Sequence, residues 1–292
     1  MERGKNYNED IINYEVSKDT VYLMLFKVDK GTIINKEEYV FEYYKDFLED
    51  FLTQYYSENK IPKQIILPKK VEETIKKYLE KIRKSKVEII NPKIGEKKAL
   101  LNLIKKNIEI NFLKEQKELK DLKQKLNLQE TPNIIECFDV SHLGGKNLTG
   151  SMVQFRNGKP DKTNYRRFKI KTFTGNNDTL ALREVVRRRY YRLKKQKEKM
   201  PNLILIDGGK PQLSAGLKEL EKLNLKIPII SLAKKFEEIY LPLTKQPIKL
   251  NKNSKARRLL QKIRDEAHRF AIKYNKLLRQ KEQLGKWQKN SN

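Results

Sequence analysis

Asp207 closes the run Leu203-Ile-Leu-Ile-Asp207-Gly-Gly-Lys-Pro, and Asp139 sits in a second run, Ile134-Ile-Glu-Cys-Phe-Asp139-Val-Ser-His142. Both runs have the length and apolar content of buried strands. A carboxylate at the mouth of a core strand costs folding energy unless it meets a cation or hydrogen-bond donors. Two such strands side by side would bring two carboxylates to one divalent ion. The rest of the chain is strongly basic, with 65 Lys and Arg against 37 Asp and Glu and a net charge of +28. Acids gathered at one point of a positive protein suit metal-dependent cleavage of a nucleic acid.

Oxygen ligands point to Mg²⁺ or Mn²⁺, and one cysteine with two histidines cannot build the usual Cys/His zinc sites. His268 lies in Ile263-Arg-Asp-Glu-Ala-His268-Arg-Phe, beside Asp265 and Glu266, and is a candidate metal ligand or proton shuttle. Either acid could orient its ring, and Glu266 is taken as the supporting residue. His142, three residues after Asp139, could support the loop that carries the acid. Asp178, before a helix, is a candidate ligand or an N-cap. Asp207-Gly-Gly-Lys lacks the spacing of a nucleotide-binding P-loop. Its glycines, with a helix starting near Pro211, would let backbone amides approach a phosphate.

Arginine is concentrated in a few stretches of a chain otherwise rich in lysine. Arg166 and Arg167 lie in a strand and point to opposite faces, so one should reach nucleic acid and the other pair internally. Arg183, Arg187 and Arg188 follow on a helix as candidate phosphate contacts, with Lys210 and Lys234 extending the groove. Cys137, the single cysteine, excludes an internal disulfide and fits an apolar core position. No apolar stretch approaches the ~18 residues of a membrane span. A cytoplasmic protein without membrane association is expected.

The elements that must position these residues fall into an α/β pattern. A first lobe, 1–95, reads as a strand at 20–28, a Lys30-Gly31 turn, a partner strand at 32–43, and then helix, strand, helix and strand. A long charged helix is expected within 96–131. A second lobe, 132–280, begins with strands at 134–140 and 150–155, an Asn157-Gly158 hairpin turn and a strand at 164–171. A helix, a strand ending at Asp207, a helix, a further strand, a hairpin and a last amphipathic helix follow. A polar, frayed tail is expected over 281–292. Three antiparallel strands, a helix and a parallel strand is the order of a ribonuclease H-like mixed sheet flanked by helices.

Six ordered motifs carry a family resemblance: Ile135-Glu-Cys-Phe-Asp-Val-Ser-His142, Tyr165-Arg-Arg-Phe168, Arg187-Arg-Arg-Tyr190, Leu205-Ile-Asp-Gly-Gly-Lys210, Ser231-Leu-Ala-Lys234 and Ile263-Arg-Asp-Glu-Ala-His-Arg-Phe-Ala271. Together they resemble the endonuclease half of the UvrC excinucleases, over most of residues 20 to 275. The resemblance implies a metal-dependent endonuclease of nucleotide excision repair. It would hydrolyse a phosphodiester on the 5′ side of a lesion in double-stranded DNA, in a complex with UvrB. It also implies that Asp139, Asp207 and His268 form the catalytic centre, with Asp178 as a further acid. Around Asp178 the family pattern is altered, since Asn177 and Thr179 replace an Asp and a Tyr. The family's Gly-Ile-Tyr/Tyr-Ile-Gly nuclease, UvrB-binding hairpin and tandem helix-hairpin-helix have no counterpart in this sequence, so 3′ incision is not expected of it. A fragment of a longer protein and a stand-alone member both stay open. A ribonuclease H-like nuclease acting on hybrids or branched DNA, and a non-catalytic DNA-binding scaffold, are the competing readings.

Overall fold

The computed structural model describes the backbone of residues 8–143, 147–170, 177–233, 238–242, 244 and 246–290; side chains at 142, 143, 147, 279 and 281–290 lie outside it. The chain divides into two compact units, Met1–Lys114 and Glu115–Asn292.

In the first unit, β1 (Asn8–Ser17), β2 (Thr20–Asp29) and β3 (Thr32–Glu42) form an antiparallel meander. After α1 (Phe47–Glu58), β4 (Gln64–Ile66) pairs parallel to β1; after α2 (Glu73–Arg83), β5 (Glu88–Ile90) pairs parallel to β4. The sheet order is β3-β2-β1-β4-β5. Lys30 and Gly31, both at positive φ, make the tight turn between β2 and β3. Strand β1 is absent from the sequence-based expectation. Its two inward polar residues, Asp10 and Asn13, break the apolar alternation that marks a half-buried strand. Asn13 is satisfied by donating to the Leu101 carbonyl at 2.7 Å, and Asp10 accepts from the Tyr56 hydroxyl at 2.8 Å.

The long helix α3 (Glu96–Lys125) is shared by the two units. Its apolar stripe explains the division. Leu101, Ile104 and Ile108 are buried in the first unit's core with Tyr22 and Met24. Leu119 and Leu122 are buried in the second unit's core with Ile135 and Leu205. The expected connecting helix is therefore divided between two cores, and the boundary falls inside it.

The second unit repeats the topology of the first. Strands β6 (Ile134–Leu143), β7 (Asn147–Arg156) and β9 (Arg166–Lys169) are antiparallel, with the short β8 (Lys159–Pro160) also on β7. Asn157 and Gly158 take positive φ at the β7–β8 turn, as their sequence requires. Helix α4 (Asp178–Gln196) precedes β10 (Leu203–Asp207), which pairs parallel to β6. Helix α5 (Lys210–Lys222) precedes β11 (Ile229–Ala233), parallel to β10, and β12 (Glu238–Tyr240) and β13 (Ile248–Lys249) complete the sheet. Helix α6 (Lys255–Asn290) follows, so the helix continues through most of the region expected to fray.

Alternation along the strands gives this sheet two apolar faces. Phe138, Ile204 and Ile206 pack with α4 and α5 through Val185, Val186 and Leu213. Ile135, Cys137, Leu203 and Leu205 pack with α6 and the end of α3 through Leu259, Ile263 and Ala267. Gly150 permits α4 to sit close on β7, because a Cβ there would lie 2.5 Å from Val185 Cγ2.

The Asp10–Tyr56 pair in the first unit gives a pH signature. Burial lifts the Asp10 carboxyl from 3.8 to about 6, against the Tyr56 hydrogen bond and the Lys27 charge, which pull it down. The folded chain therefore holds this proton more tightly than the unfolded one. The stabilisation is complete below the ordinary carboxyl value and is lost as pH rises through about 6. Asp10→Asn keeps an acceptor for Tyr56 and should stabilise the first unit by up to about 3 kcal/mol near neutral pH, with little effect near pH 4. Urea midpoints of both proteins at the two pH values check this; an equal shift at both would refute it.

Candidate metal centre

The β6–β10 register decides where the two acids meet. Cys137 lies opposite Leu205 and Phe138 opposite Ile206, so the next residues along are Asp139 and Asp207. Neighbouring strands run about 4.8 Å apart, which places the carboxylates within reach of one ion. Both side chains point to the α6 face, by the alternation that puts Cys137 and Leu205 there. His268 reaches them from α6. Ligand atoms of Asp139, Asp207 and His268 all lie within 4.8 Å of one another. Asp139 is buried, while Asp207 and His268 are half-buried and accessible to solvent.

Several contacts fix this geometry. Asn275, two turns beyond His268, donates to Ser141 Oγ of β6 at 3.1 Å and accepts from Thr149 Oγ1 of β7 at 2.9 Å. Those bonds pin α6 across the two strands. Beneath Asp139, on the opposite face of β6, Glu136 forms a buried ion pair with Arg189 at 2.5 Å and accepts from the Tyr190 hydroxyl at 2.8 Å. Burial would lower the Arg189 guanidinium, but the adjacent Glu136 charge and hydrogen bond outweigh it and the net shift is upward. Cys137 lies one alternation below Asp139. Its thiol is raised well above the ordinary value, first by burial and then by the charges of Asp207 and Asp139.

Other expected residues divide. Asp178 opens α4 as its first residue and stands outside the Asp139–Asp207–His268 group. The capping role belongs to Asn177, whose side chain accepts from the Leu180 amide at 3.0 Å. Glu266 faces away from the imidazole: it accepts from the Tyr165 hydroxyl at 2.9 Å and from Arg269 at 2.6 and 2.7 Å. Burial raises its carboxyl, and those hydrogen bonds more than compensate, so the net shift is downward. The glycine amides after Asp207 are spent internally. Gly209 donates to Gln212 Oε1 in a capping arrangement, and Gly208 donates to the Leu232 carbonyl. The side chain of His142 and the whole of Lys234 lie outside the described residues.

The arginines also separate by role. Arg166 turns back onto the carbonyls of Thr163 and Tyr165. Arg167 is exposed on the α6 face, across β7 from Asp139 through Ser151, with its guanidinium 4.9 Å from the Phe270 ring and 5.2 Å from Tyr274. Arg183 bonds Glu219 and ties α4 to α5, and Arg188 bonds Glu184 and the Lys169 carbonyl. Their charges hold the fold together, whereas Arg187 and Lys210 are exposed. Arg264 is missing from the sequence-based candidates. It precedes His268 by one turn on the same side of α6, is largely buried, and its charge is felt at Cys137 together with those of both acids. The i, i+4 spacing from His268 was the available signal.

Residues 123–272 match the family described as UvrC RNAse H endonuclease domain, and residues 8–115 the family described as UvrC Ribonuclease H-like domain. The chain belongs to the UvrC family. UvrABC system protein C of Methanosarcina barkeri is 55% identical over 98% of this chain and 55% of its own length. The protein of the same name from Caldicellulosiruptor saccharolyticus is 37% identical over 94% of this chain and 48% of its own. This UvrC chain thus spans about half the length of the curated relatives it matches. A solved endonuclease V from Ciona intestinalis is 14% identical, covering 55% of this chain and 95% of that one at a TM-score of 0.33. In this UvrC chain both matched regions carry the same strand order, yet only the second holds the acid pair. In the first, β1 carries Asn13 bonded to Leu101, and β4 runs on into Leu67 and Pro68.

The buried pair under the site can be tested for its structural weight. Arg189→Met leaves the Glu136 carboxylate uncompensated and should cost roughly 3–5 kcal/mol. Adding Glu136→Gln, which removes the charge and keeps an acceptor for Tyr190, should recover most of that loss. Denaturant unfolding of the single and double variants measures both; a double variant no more stable than the single would refute the account.

Proposed function

We propose that this chain supplies the hydrolytic centre of a UvrC-type nuclease, cutting a DNA phosphodiester on the 5′ side of a lesion during nucleotide excision repair. The reading rests on one observation above all, the convergence of Asp139, Asp207 and His268 within 4.8 Å. Two carboxylates and an imidazole are a donor set for a hard divalent ion, Mg²⁺ or Mn²⁺. Bound there, such an ion would activate water and neutralise charge at the phosphoryl group. Asp139 and Asp207 would hold it, one from the buried floor and one from the rim. His268 would serve as the third ligand or carry a proton at the water or the leaving oxygen.

The surrounding charge supports a polyanionic substrate. Arg167 presents a guanidinium steadied by two aromatic faces, a geometry suited to bidentate contact with a phosphate. Arg187 and Lys210 offer further cations to the backbone. Family membership supports lesion-bearing double-stranded DNA held by UvrB as the working partner, and a DNA substrate goes with a cytoplasmic location. Among the described residues no helix is long and apolar enough to cross a membrane.

The decisive experiment compares the chain with its Asp207→Asn variant on lesion-containing duplex and on an RNA–DNA hybrid, with Mn²⁺. Incision of the lesion duplex is expected, with a rate loss of about a hundredfold or more in the variant. Equal cutting by both proteins would remove the assigned centre. Binding without cutting by either would favour a scaffold, and preference for the hybrid would change the substrate.

A further inference from the structure

A second concentration of positive charge lies apart from the metal centre. A cleft of about 800 Å³ opens where the end of α3, strand β13 and the start of α6 meet, all within the second unit. Lys117, Lys120 and Lys125 line it from α3, Lys249 from β13 and Lys255 from α6. All five are exposed. Lys117, Lys120 and Gln124 follow at three- and four-residue steps, so they share one face of α3.

The single carboxylate in the lining, Asp121, is already engaged. Its Oδ2 accepts from Ser254 Oγ at 3.0 Å and from the Ala256 amide at 2.8 Å, closing the N-terminus of α6. Lys249 pairs with Glu238 at 3.0 Å. Among the described residues, Lys117, Lys120 and Lys255 form no ion pair. Two other lysines of this unit are matched by acids, Lys159 with Glu115 and Lys222 with Glu219. A merely solvated lysine surface would be convex, with its charges diverging into water. Here three elements aim theirs into one concavity, where field lines concentrate and a polyanion is drawn in.

We propose that this cleft is a second binding site for nucleic acid, gripping the phosphodiester backbone of the substrate away from the scissile bond. The inference rests on the nuclease reading for the identity of the polyanion. Lysines are point charges without a fixed fork, and they suit contacts to phosphates at any sequence. Lys117 and Gln124 are about 10 Å apart along α3, room for about two or three successive phosphates. Lys255 precedes His268 by thirteen residues on one continuous helix, a rise of about 20 Å. At about 3.4 Å per nucleotide step, that axial separation corresponds to roughly six steps of a duplex. The site would therefore sense backbone continuity beside the incision point, independently of base sequence.

The test is binding without divalent metal, so that no cutting intervenes. A short labelled duplex is titrated by fluorescence anisotropy with the wild type and with the triple variant Lys117→Gln, Lys120→Gln, Lys255→Gln over a series of salt concentrations. The slope of log affinity against log salt should fall by about 2 to 3 in the variant, near 0.9 for each lost contact. Thermal unfolding should be unchanged, since all three side chains are exposed. An unaltered slope and affinity would overturn the proposal. So would a cleft that responds only to polyglutamate, which would mark it as a seat for an acidic protein segment. Because cutting is not measured, a chain that binds through these lysines but never incises would defeat the nuclease reading and leave this one standing.

Discussion

Parallel pairing of β6 with β10 holds two carboxylates one strand spacing apart, and like charges that close repel strongly wherever water is scarce. Hydrophobic burial on both faces of the sheet keeps the strands in register despite that repulsion. Slipping the pairing by one residue would move Asp139 to the α4 face and leave Asp207 alone. The same slip would drive Phe138 out of its apolar cluster, so the core enforces the placement that the acids themselves resist. A cation is what relieves the conflict. The largely buried Arg264 and the imidazole of His268 bring positive or polarisable groups from α6, and a divalent ion would complete the neutralisation.

The first unit shows the same scaffold relieved of that demand. Its strands follow the order of the second, and helices cover its apolar faces in the same manner. Where the second unit gathers charge, the first spends its inward polar groups on its own backbone and on a tyrosine. A fold that positions acids so well does not compel a chain to keep them there; what a unit does depends on the few side chains at the strand ends.

Much of the centre could be read from sequence because the signals were local. Asp139 and Asp207 stood at the ends of apolar runs, and period-two alternation fixed the face each would use. Asn157-Gly158 announced its hairpin, and Pro211 its helix. What escaped depended on partners distant in the chain. Nothing in Arg187-Arg-Arg distinguishes the exposed first residue from the third, whose partner Glu136 lies 53 residues away on another element. Glu266 adjoins His268 in sequence, yet helix geometry turns it toward Tyr165, 101 residues distant. Strand β1 was hidden by Asp10 and Asn13, polar residues whose burial makes sense only once Tyr56 and α3 are in place.

Cys137 carries a consequence of its own. Its thiol lies wholly inside the sheet, one alternation beneath Asp139, and both acids oppose its ionisation. Alkylating reagents attack the thiolate, so labelling must wait for α6 to lift from the sheet. As the chain's single sulfhydryl, it is a built-in clock for that lifting, and the rate of its modification measures how firmly α6, which carries His268, is held down.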